Sequence, residues 1–133
     1  MGASDGKVLS TTKIVDHKSA DTGFNLVILS DGFQESEMPA FETVAQNFVD
    51  LFQITQPYNE VWDEINVYRI NVSSTESGAD DPSACGGPGT TAKTFFDSSF
   101  CNNGIRRLLV ADSYLALKIA NDNVPAVHLK TAA

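Results

Sequence analysis

The sequence has few of the residues that catalysis and metal binding require. His17 and His128 are the only histidines among 133 residues. A hydrolytic zinc site commonly uses two histidines one helical turn apart with a glutamate between them, and the chain has no H-E-x-x-H motif. The pattern G-x-S-x-G occurs only at residues 2–6, before the first predicted strand, so it makes no nucleophile elbow. The chain has no G-x-G-x-x-G and no phosphate-loop motif. We therefore expect no catalytic residue, no metal ligand set and no cofactor within these residues.

Basic residues are also scarce. Nine Lys and Arg stand against seventeen Asp and Glu, so the formal net charge is −8. Arg106 and Arg107 form the only adjacent basic pair. Because an acidic chain is repelled by phosphates and by anionic membrane surfaces, we predict neither nucleic acid nor membrane as a partner.

Long apolar runs are missing as well. No stretch approaches the length that spans a bilayer. Residues 1–7 show no basic start followed by an apolar segment, which is the pattern of a secretory signal. A cytoplasmic location is the default expectation.

The two cysteines, Cys85 and Cys101, leave two alternatives open. In a reducing compartment they would be free thiols, and in an exported protein they would often be bridged. The bridge would close a loop of roughly 15 residues and contribute about 3 kcal/mol. Gly-rich neighbours on both sides make this loop flexible, so it would gain from such a bridge.

The first half of the chain predicts one strand–helix–strand unit within a single domain of residues 1–133. Residues 1–10 are small and polar, and we expect them to be disordered. A short edge strand is predicted at 13–18, and a strand buried on both faces at 26–29. The helix that follows has Ser36 as its predicted N-cap and Pro39 in its first turn. Its apolar stripe consists of Phe41, Val44, Ala45, Phe48 and Phe52.

A second strand is predicted at residues 65–72, parallel to the first because a helix connects them. Residues 73–103 predict a long loop, with a short helix at 93–100 that carries three phenylalanines inward. Asp112 is the predicted N-cap of a second main helix, and a third strand is predicted at 124–129. The predicted fold is α/β, with a small three- to four-stranded, mainly parallel sheet, a βαβ crossover and two main helices.

Five charged residues are candidates for ligand binding. Asp31 follows a buried strand at the sheet edge where ligands bind, although a turn-capping role is the alternative. Glu76, Asp80 and the neighbouring Asp81 are close in the long loop and could bind calcium or simply face solvent. Arg69 is isolated in a strand, where it could pair with Glu76, Asp31 or Asp112 and hold the long loop. The full set is Asp31, Arg69, Glu76, Asp80 and Asp112.

Several segments, in this order and spacing, resemble one family. They resemble the N-terminal part of the peptidase domain of immunoglobulin A-cleaving zinc metallopeptidases and their bacterial relatives. The resemblance covers residues 24–124. It rests on VILSDGF at 27–33, EM at 37–38, INVYR at 65–69, ESGAD at 76–80, FFD at 95–97, FC at 100–101 and RLLV at 107–110.

The resemblance implies half of a zincin-like domain. In that family the zinc ligands lie downstream of this region on an H-E-x-x-H helix, so no catalytic residue can be transferred to this chain. The resemblance also implies an exported protein, and both cysteines match positions that suit a bridge. Because the family domain would continue as a longer apolar strand near Val127, we expect a truncated domain.

The leading functional hypothesis is a non-catalytic domain, derived from a metallopeptidase, that acts by binding a protein or ligand. One alternative is half of a split enzyme whose zinc-bearing chain is separate. Another is a small-molecule-binding domain with its site around Asp31 and the loop from Ser73. Because half a domain leaves a sheet edge or helix face uncovered, we expect a homo-oligomer, in the simplest case a dimer.

Overall fold

The computed structural model describes residues 2–124 and 130–132, the latter three by their backbone alone. In the sheet the antiparallel pair is formed by the first and third strands, and the second strand is parallel to both the third and the fourth. The mixed α/β class with two principal helices is confirmed. The elements are β1 (Gly6–Val15), β2 (Phe24–Leu29), α1 (Met38–Ile54), β3 (Ile65–Ser74), α2 (Ser113–Asn123) and β4 (Lys130–Ala132), with sheet order β1-β3-β2-β4.

A short capped turn precedes the N-terminus of α1. Gln34 N donates to Glu37 Oε1 at 2.8 Å, and a short 3₁₀ turn precedes Met38. This corrects the prediction of Ser36 as the N-cap. Pro39 lies in the first turn as predicted, where its missing N–H costs no helical hydrogen bond.

One face of the sheet packs against α1. Alternate residues of β2 and β3 point to this face, and every third or fourth residue of α1 meets them. Each large apolar side chain buried in this way contributes about 1.5–3 kcal/mol. We call this the helix side, with core residues Leu26, Ile28, Met38, Phe41, Ala45, Val49, Ile65 and Val67.

The other face is covered by an irregular segment together with α2. Phe95 and Phe96 are buried there, although residues 93–100 form no helix, which corrects the prediction. The segment lies against the sheet in an irregular conformation, which is held by hydrogen bonds to residues that are distant along the chain. We call this the loop side, with core residues Val27, Tyr68, Ile70, Val72, Phe95, Phe96, Ala120 and Val124.

The termini differ from the predictions in two ways. Residues 6–10 belong to β1 and pair with the end of β3, so the expected disorder of 1–10 is wrong for these five positions. The strand predicted at 124–129 falls on residues outside the described part, apart from Val124, which ends α2. Within the described residues, no helix is both long and apolar enough to cross a bilayer.

Residues 75–112 form the long loop between β3 and α2. They contain two 3₁₀ turns and the isolated bridges Asp80–Ser99, Asp81–Thr90 and Ser99–Val110. Cys85 and Cys101 form a disulfide with a Cα–Cα distance of 5.8 Å. The bridge joins two parts of the loop that have little regular structure of their own.

Candidate functional site

The carboxyl end of β2 is joined to β3 by a buried serine. Ser30 Oγ donates to the carbonyl oxygen of Val72 at 2.7 Å and accepts from Val72 N at 2.8 Å. Both contacts are buried, so neither competes with water. This pair fixes the position from which the next residue, Asp31, projects.

The carboxylate of Asp31 accepts three hydrogen bonds. Phe96 N donates to Oδ1 at 2.9 Å, and Ser74 Oγ donates to the same atom at 3.2 Å. Ser98 Oγ donates to Oδ2. Charge-assisted bonds of this kind are stronger than neutral ones. Asp31 therefore connects β2, β3 and the long loop at one point.

Ser74 extends this connection to the backbone. Its Oγ accepts from Gly32 N and from Phe95 N, both at 3.1 Å. Gly32 has φ +73°, and a Cβ there would lie 2.2 Å from the carbonyl oxygen of Gly78. Glycine is therefore required at this turn, because any side chain would collide with the loop backbone.

Glu76 and Asp80 both accept hydrogen bonds from another part of the same loop. Lys93 N donates to Glu76 Oε1 at 2.8 Å, and Ala92 N donates to Asp80 Oδ1 at 2.8 Å. Each carboxylate thus accepts a backbone N–H from the segment that leads to Phe95. In the described part of the chain, no group of three His, Cys, Asp or Glu side chains is placed to hold a metal ion.

Asp81 is held by a cation from the far part of the loop. Arg106 Nη1 lies 2.8 Å from Asp81 Oδ1 as an ion-pair contact without hydrogen-bond geometry. Arg106 Nη2 donates to Oδ2 at 3.2 Å. Together with the disulfide, this pair joins the two ends of the loop.

Arg69 lies on the helix side, away from Asp31. Its Nη2 is 3.1 Å from Glu42 Oε1 on α1, and its Nε donates to Asn71 Oδ1 at 2.9 Å. The expected pairing with Glu76, Asp31 or Asp112 is therefore wrong. In β3, which is buried on both faces, odd-numbered residues such as Val67 face α1 and even-numbered residues such as Ile70 face the loop.

Asp112 caps α2, as predicted. Leu115 N donates to Asp112 Oδ1 at 3.0 Å, and Asp112 N donates to the carbonyl oxygen of Phe96 at 2.7 Å. Asp31 binds the N–H of Phe96. The two aspartates thus form hydrogen bonds with the N–H and with the carbonyl oxygen of the same buried residue, Phe96.

An apolar groove lies between α1 and the carboxyl end of β2. Its volume is about 230 Å³, and among the described residues that line it Asp31 is the only charged one. Further along α1, Leu51 and Ile54 are also exposed. The groove is lined by Ile28, Leu29, Ser30, Asp31, Phe33, Phe41, Val44, Ala45 and Phe48.

A second, open depression of about 480 Å³ lies between the start of β1 and the end of β3. Its walls are polar, and Lys7 and Glu35 form an exposed ion pair of 3.6 Å there.

A sequence profile described as IgA Peptidase M64 matches residues 13–128. The chain belongs to the IgA peptidase M64 family. The match extends from the second half of β1 to beyond α2, so it includes the helix side, Asp31 and the long loop. The resemblance seen in the sequence is confirmed. No curated protein matches the chain.

The described residues of this M64 family member do not fit a zinc site. His17 Nδ1 lies 2.8 Å from the carbonyl oxygen of Trp62 and 2.9 Å from that of Ile65. Because carbonyl oxygens only accept, Nδ1 carries the proton and is bonded to the backbone. Both cysteines are in the disulfide. His128 lies outside the described residues.

Sequence reasoning missed the serines that surround Asp31. Ser30, Ser74 and Ser98 are buried, and the last two donate to its carboxylate. Ser98 is 67 residues away along the chain, so no local pattern links it to Asp31. The only sign of this cluster in the sequence was the serine that follows the partly β-branched strand.

Proposed function

We propose that these residues act as a non-catalytic scaffold of a metallopeptidase-family domain and that they work by binding another polypeptide segment. In this proposal the parallel pair β2 and β3, joined through α1, corresponds to the first half of a zincin-like domain. The observation that carries the proposal is the exposure of large apolar side chains on α1. Val44 is 55% exposed, Leu51 64% and Ile54 72%.

The charged candidates support the same proposal. Asp31 and Asp80 accept backbone N–H groups, and Arg69 pairs with a helix residue. Carboxylates that hold a backbone in place are poorly suited to activate water or bind substrate, because such work would release the loop. By contrast, apolar side chains left open to water favour association.

Zinc content and peptidase activity provide the direct test. The purified chain is dialysed with zinc, then assayed for bound metal and for cleavage of immunoglobulin A and casein. We expect much less than one zinc per chain and no cleavage. Stoichiometric zinc together with chelator-sensitive cleavage would contradict the proposal. Cleavage that appears only when a zinc-bearing polypeptide is added would support the split enzyme instead.

Small-molecule binding is a second candidate, favoured by the polar depression near Ser73. Its volume of about 480 Å³ lies within the ~300–1,000 Å³ of ligand sites, although such sites are usually more enclosed and more apolar. A panel of amino acids and small anions is added in thermal-shift assays. A saturable rise in melting temperature that Lys7→Ala abolishes would support this candidate.

The predicted homo-oligomer remains a prediction. Light scattering at micromolar concentration measures it, and a clean monomer would rule it out. This measurement is independent of the zinc assay.

A further inference from the structure

We propose that the turn at Arg106 and Arg107 is a processing site, where an arginine-specific endopeptidase of the trypsin class cuts the folded chain after Arg107. Hydrolysis adds one water across the peptide bond between Arg107 and Leu108. The carbonyl carbon of Arg107 becomes a carboxylate, and the nitrogen of Leu108 becomes an amino group. The site is independent of the scaffold function proposed above, because it needs no contact with the apolar surface of α1.

The turn lies in the longest exposed stretch of the described residues. Every residue from 102 to 114 is exposed. Large apolar side chains are open to water there as well, since Ile105 is 56% exposed and Leu109 is 50% exposed. An endopeptidase binds several consecutive residues on both sides of the bond that it cuts, and exposed loop tips are where such cuts concentrate. This stretch therefore offers the peptidase accessible chain before and after Arg107.

Few hydrogen bonds oppose the opening of this turn. Leu108 N donates to the carbonyl oxygen of Ile105 at 3.1 Å, which closes the turn across the two arginines. Within the described part of the chain, no backbone hydrogen bond is donated by Arg106 N or by Arg107 N. Cleavage of a folded protein follows local opening, and opening costs little where the backbone is already bonded to water.

The residues on both sides of the turn are held in place. Ser99 N and Val110 N each donate to the carbonyl oxygen of the other residue at 2.9 Å. Cys101 is joined to Cys85 by the disulfide. Because these bonds lie outside the turn, the turn can open and be cut while the rest of the loop stays in place.

The side chain of Arg107 is the one that is free to be recognised. Trypsin-class peptidases bind the arginine that precedes the cut through an aspartate in their specificity pocket. Arg106 already uses its guanidinium, since Nη1 lies 2.8 Å from Asp81 Oδ1 and Cζ lies 5.9 Å from the centre of the Phe100 ring. Arg107 is exposed and forms no ion pair within the described residues. The cut is therefore expected after Arg107.

The other basic residues lie in backbone that is bonded more firmly. Lys18 N donates to Asn66 Oδ1 at 2.9 Å. Lys93 N donates to Glu76 Oε1 at 2.8 Å. The remaining basic residues lie within strands or in α2, where the regular hydrogen bonds would have to break first. They are Lys7, Lys13, Arg69, Lys118 and Lys130.

The test is limited digestion of the intact, folded chain with trypsin, with the products identified by mass spectrometry. We expect the first cut after Arg107, which gives residues 1–107 and 108–133. Both cysteines lie in the first piece, so the two pieces should separate in denaturant without any reductant. Without denaturant they should stay together in gel filtration, because Ala120 and Val124 remain buried in the core of the loop side.

Two matched variants localise the cut. Arg107→Gln and Lys93→Gln each remove one positive charge from an exposed position of the long loop. We expect Arg107→Gln to slow the first cut about tenfold or more, because the peptidase pocket loses the group that it pairs with. Lys93→Gln should leave the rate of the first cut unchanged. Thermal unfolding of both variants checks that each is folded.

Four outcomes would overturn the proposal. These are a first cut at another basic residue, equal slowing in both variants, pieces that separate without denaturant, and resistance of the folded chain to trypsin. Resistance together with stoichiometric inhibition of trypsin would make the turn a binding site for the peptidase instead of its substrate. None of these readouts depends on zinc or on cleavage of other proteins by this chain.

Discussion

The two faces of the sheet are covered in different ways. On the helix side, α1 lies over the sheet and places Phe41, Ala45 and Val49 at helical spacing. On the loop side, Phe95 and Phe96 come from an irregular segment, with α2 beside them. The two sides bury their central side chains equally well, since Phe41 is 3% exposed and Phe96 is 2% exposed.

The difference lies in what orients the buried side chains. A helix satisfies its own backbone, so α1 needs only an apolar stripe to be placed. The loop cannot satisfy its own backbone. Phe96 N and Phe95 N therefore donate to Asp31 and Ser74, which lie 65 and 21 residues earlier in the chain. An irregular segment can cover a sheet where polar side chains accept hydrogen bonds from the backbone of that segment.

The largest expected effect tests whether the two sides are equally well packed. Phe41→Ala and Phe96→Ala should each lower the free energy of unfolding by about 3–5 kcal/mol, because each removes a fully buried ring. Phe48→Ala, at a ring that is 39% exposed, is the control and should cost clearly less. Urea denaturation measures all three. A small effect of Phe96→Ala alone would show that the loop side is loosely packed.

Removal of the disulfide should weaken only the loop side. Cys85→Ser with Cys101→Ser is expected to cost up to about 3 kcal/mol, since the unfolded chain regains the freedom of a loop of roughly 15 residues. Hydrogen exchange should quicken in residues 75–112 and stay unchanged in α1. Equal acceleration on both sides would mean that the two faces unfold as one unit.

Asp31→Asn tests the bond that positions the loop. An amide cannot accept from both Phe96 N and Ser98 Oγ as the carboxylate does, so we expect a loss of about 1–3 kcal/mol. The Phe96 amide should exchange faster than any amide of α1. Asp63→Asn, at an exposed aspartate outside this cluster, serves as the charge-matched control. Identical effects of the two substitutions would contradict the role of Asp31.

The smallest effect concerns the contact between the two regions. Hydrogen bonds from Ser77 Oγ and from Gln34 N lower the pKa of Glu37, at the start of α1, below its ordinary value of 4.5. Because the folded pKa is the lower one, the contact stabilises the fold above the ordinary pKa and is lost as pH falls through the folded pKa. In Ser77→Ala the pKa of Glu37 should rise toward 4.5. Titration by NMR measures it, with Ser10→Ala on β1 as the control.

Local sequence patterns predicted the features whose interactions lie within one helix. Pro39 in the first turn of α1 and Asp112 as the cap of α2 are found as predicted. The predicted stripe of α1 is right only in part, since Phe41 and Ala45 are buried but Val44 and Phe48 are exposed. Each depends on residues within one or two helical turns. The predicted helix at residues 93–100 failed because three nearby phenylalanines indicate burial without indicating which backbone conformation achieves it.

Partners across the sheet were not predictable in the same way. Arg69 was expected to meet the loop and instead meets Glu42, since residue parity in β3 decides which face each side chain occupies. The start of β1 at Gly6 was missed because its small polar residues become a strand only through pairing with the end of β3.

The sequence alone determined the family, the acidic charge, the βαβ-like order of apolar segments and the N-cap of α2, because these depend on neighbouring residues and on composition. Only the tertiary structure decided that Asp31 holds the loop, that Arg69 pairs with α1, and that one side of α1 stays open beside the groove. These features join residues tens of positions apart, and the physical reason is that hydrogen-bond partners and exposed faces exist only once the strands have paired.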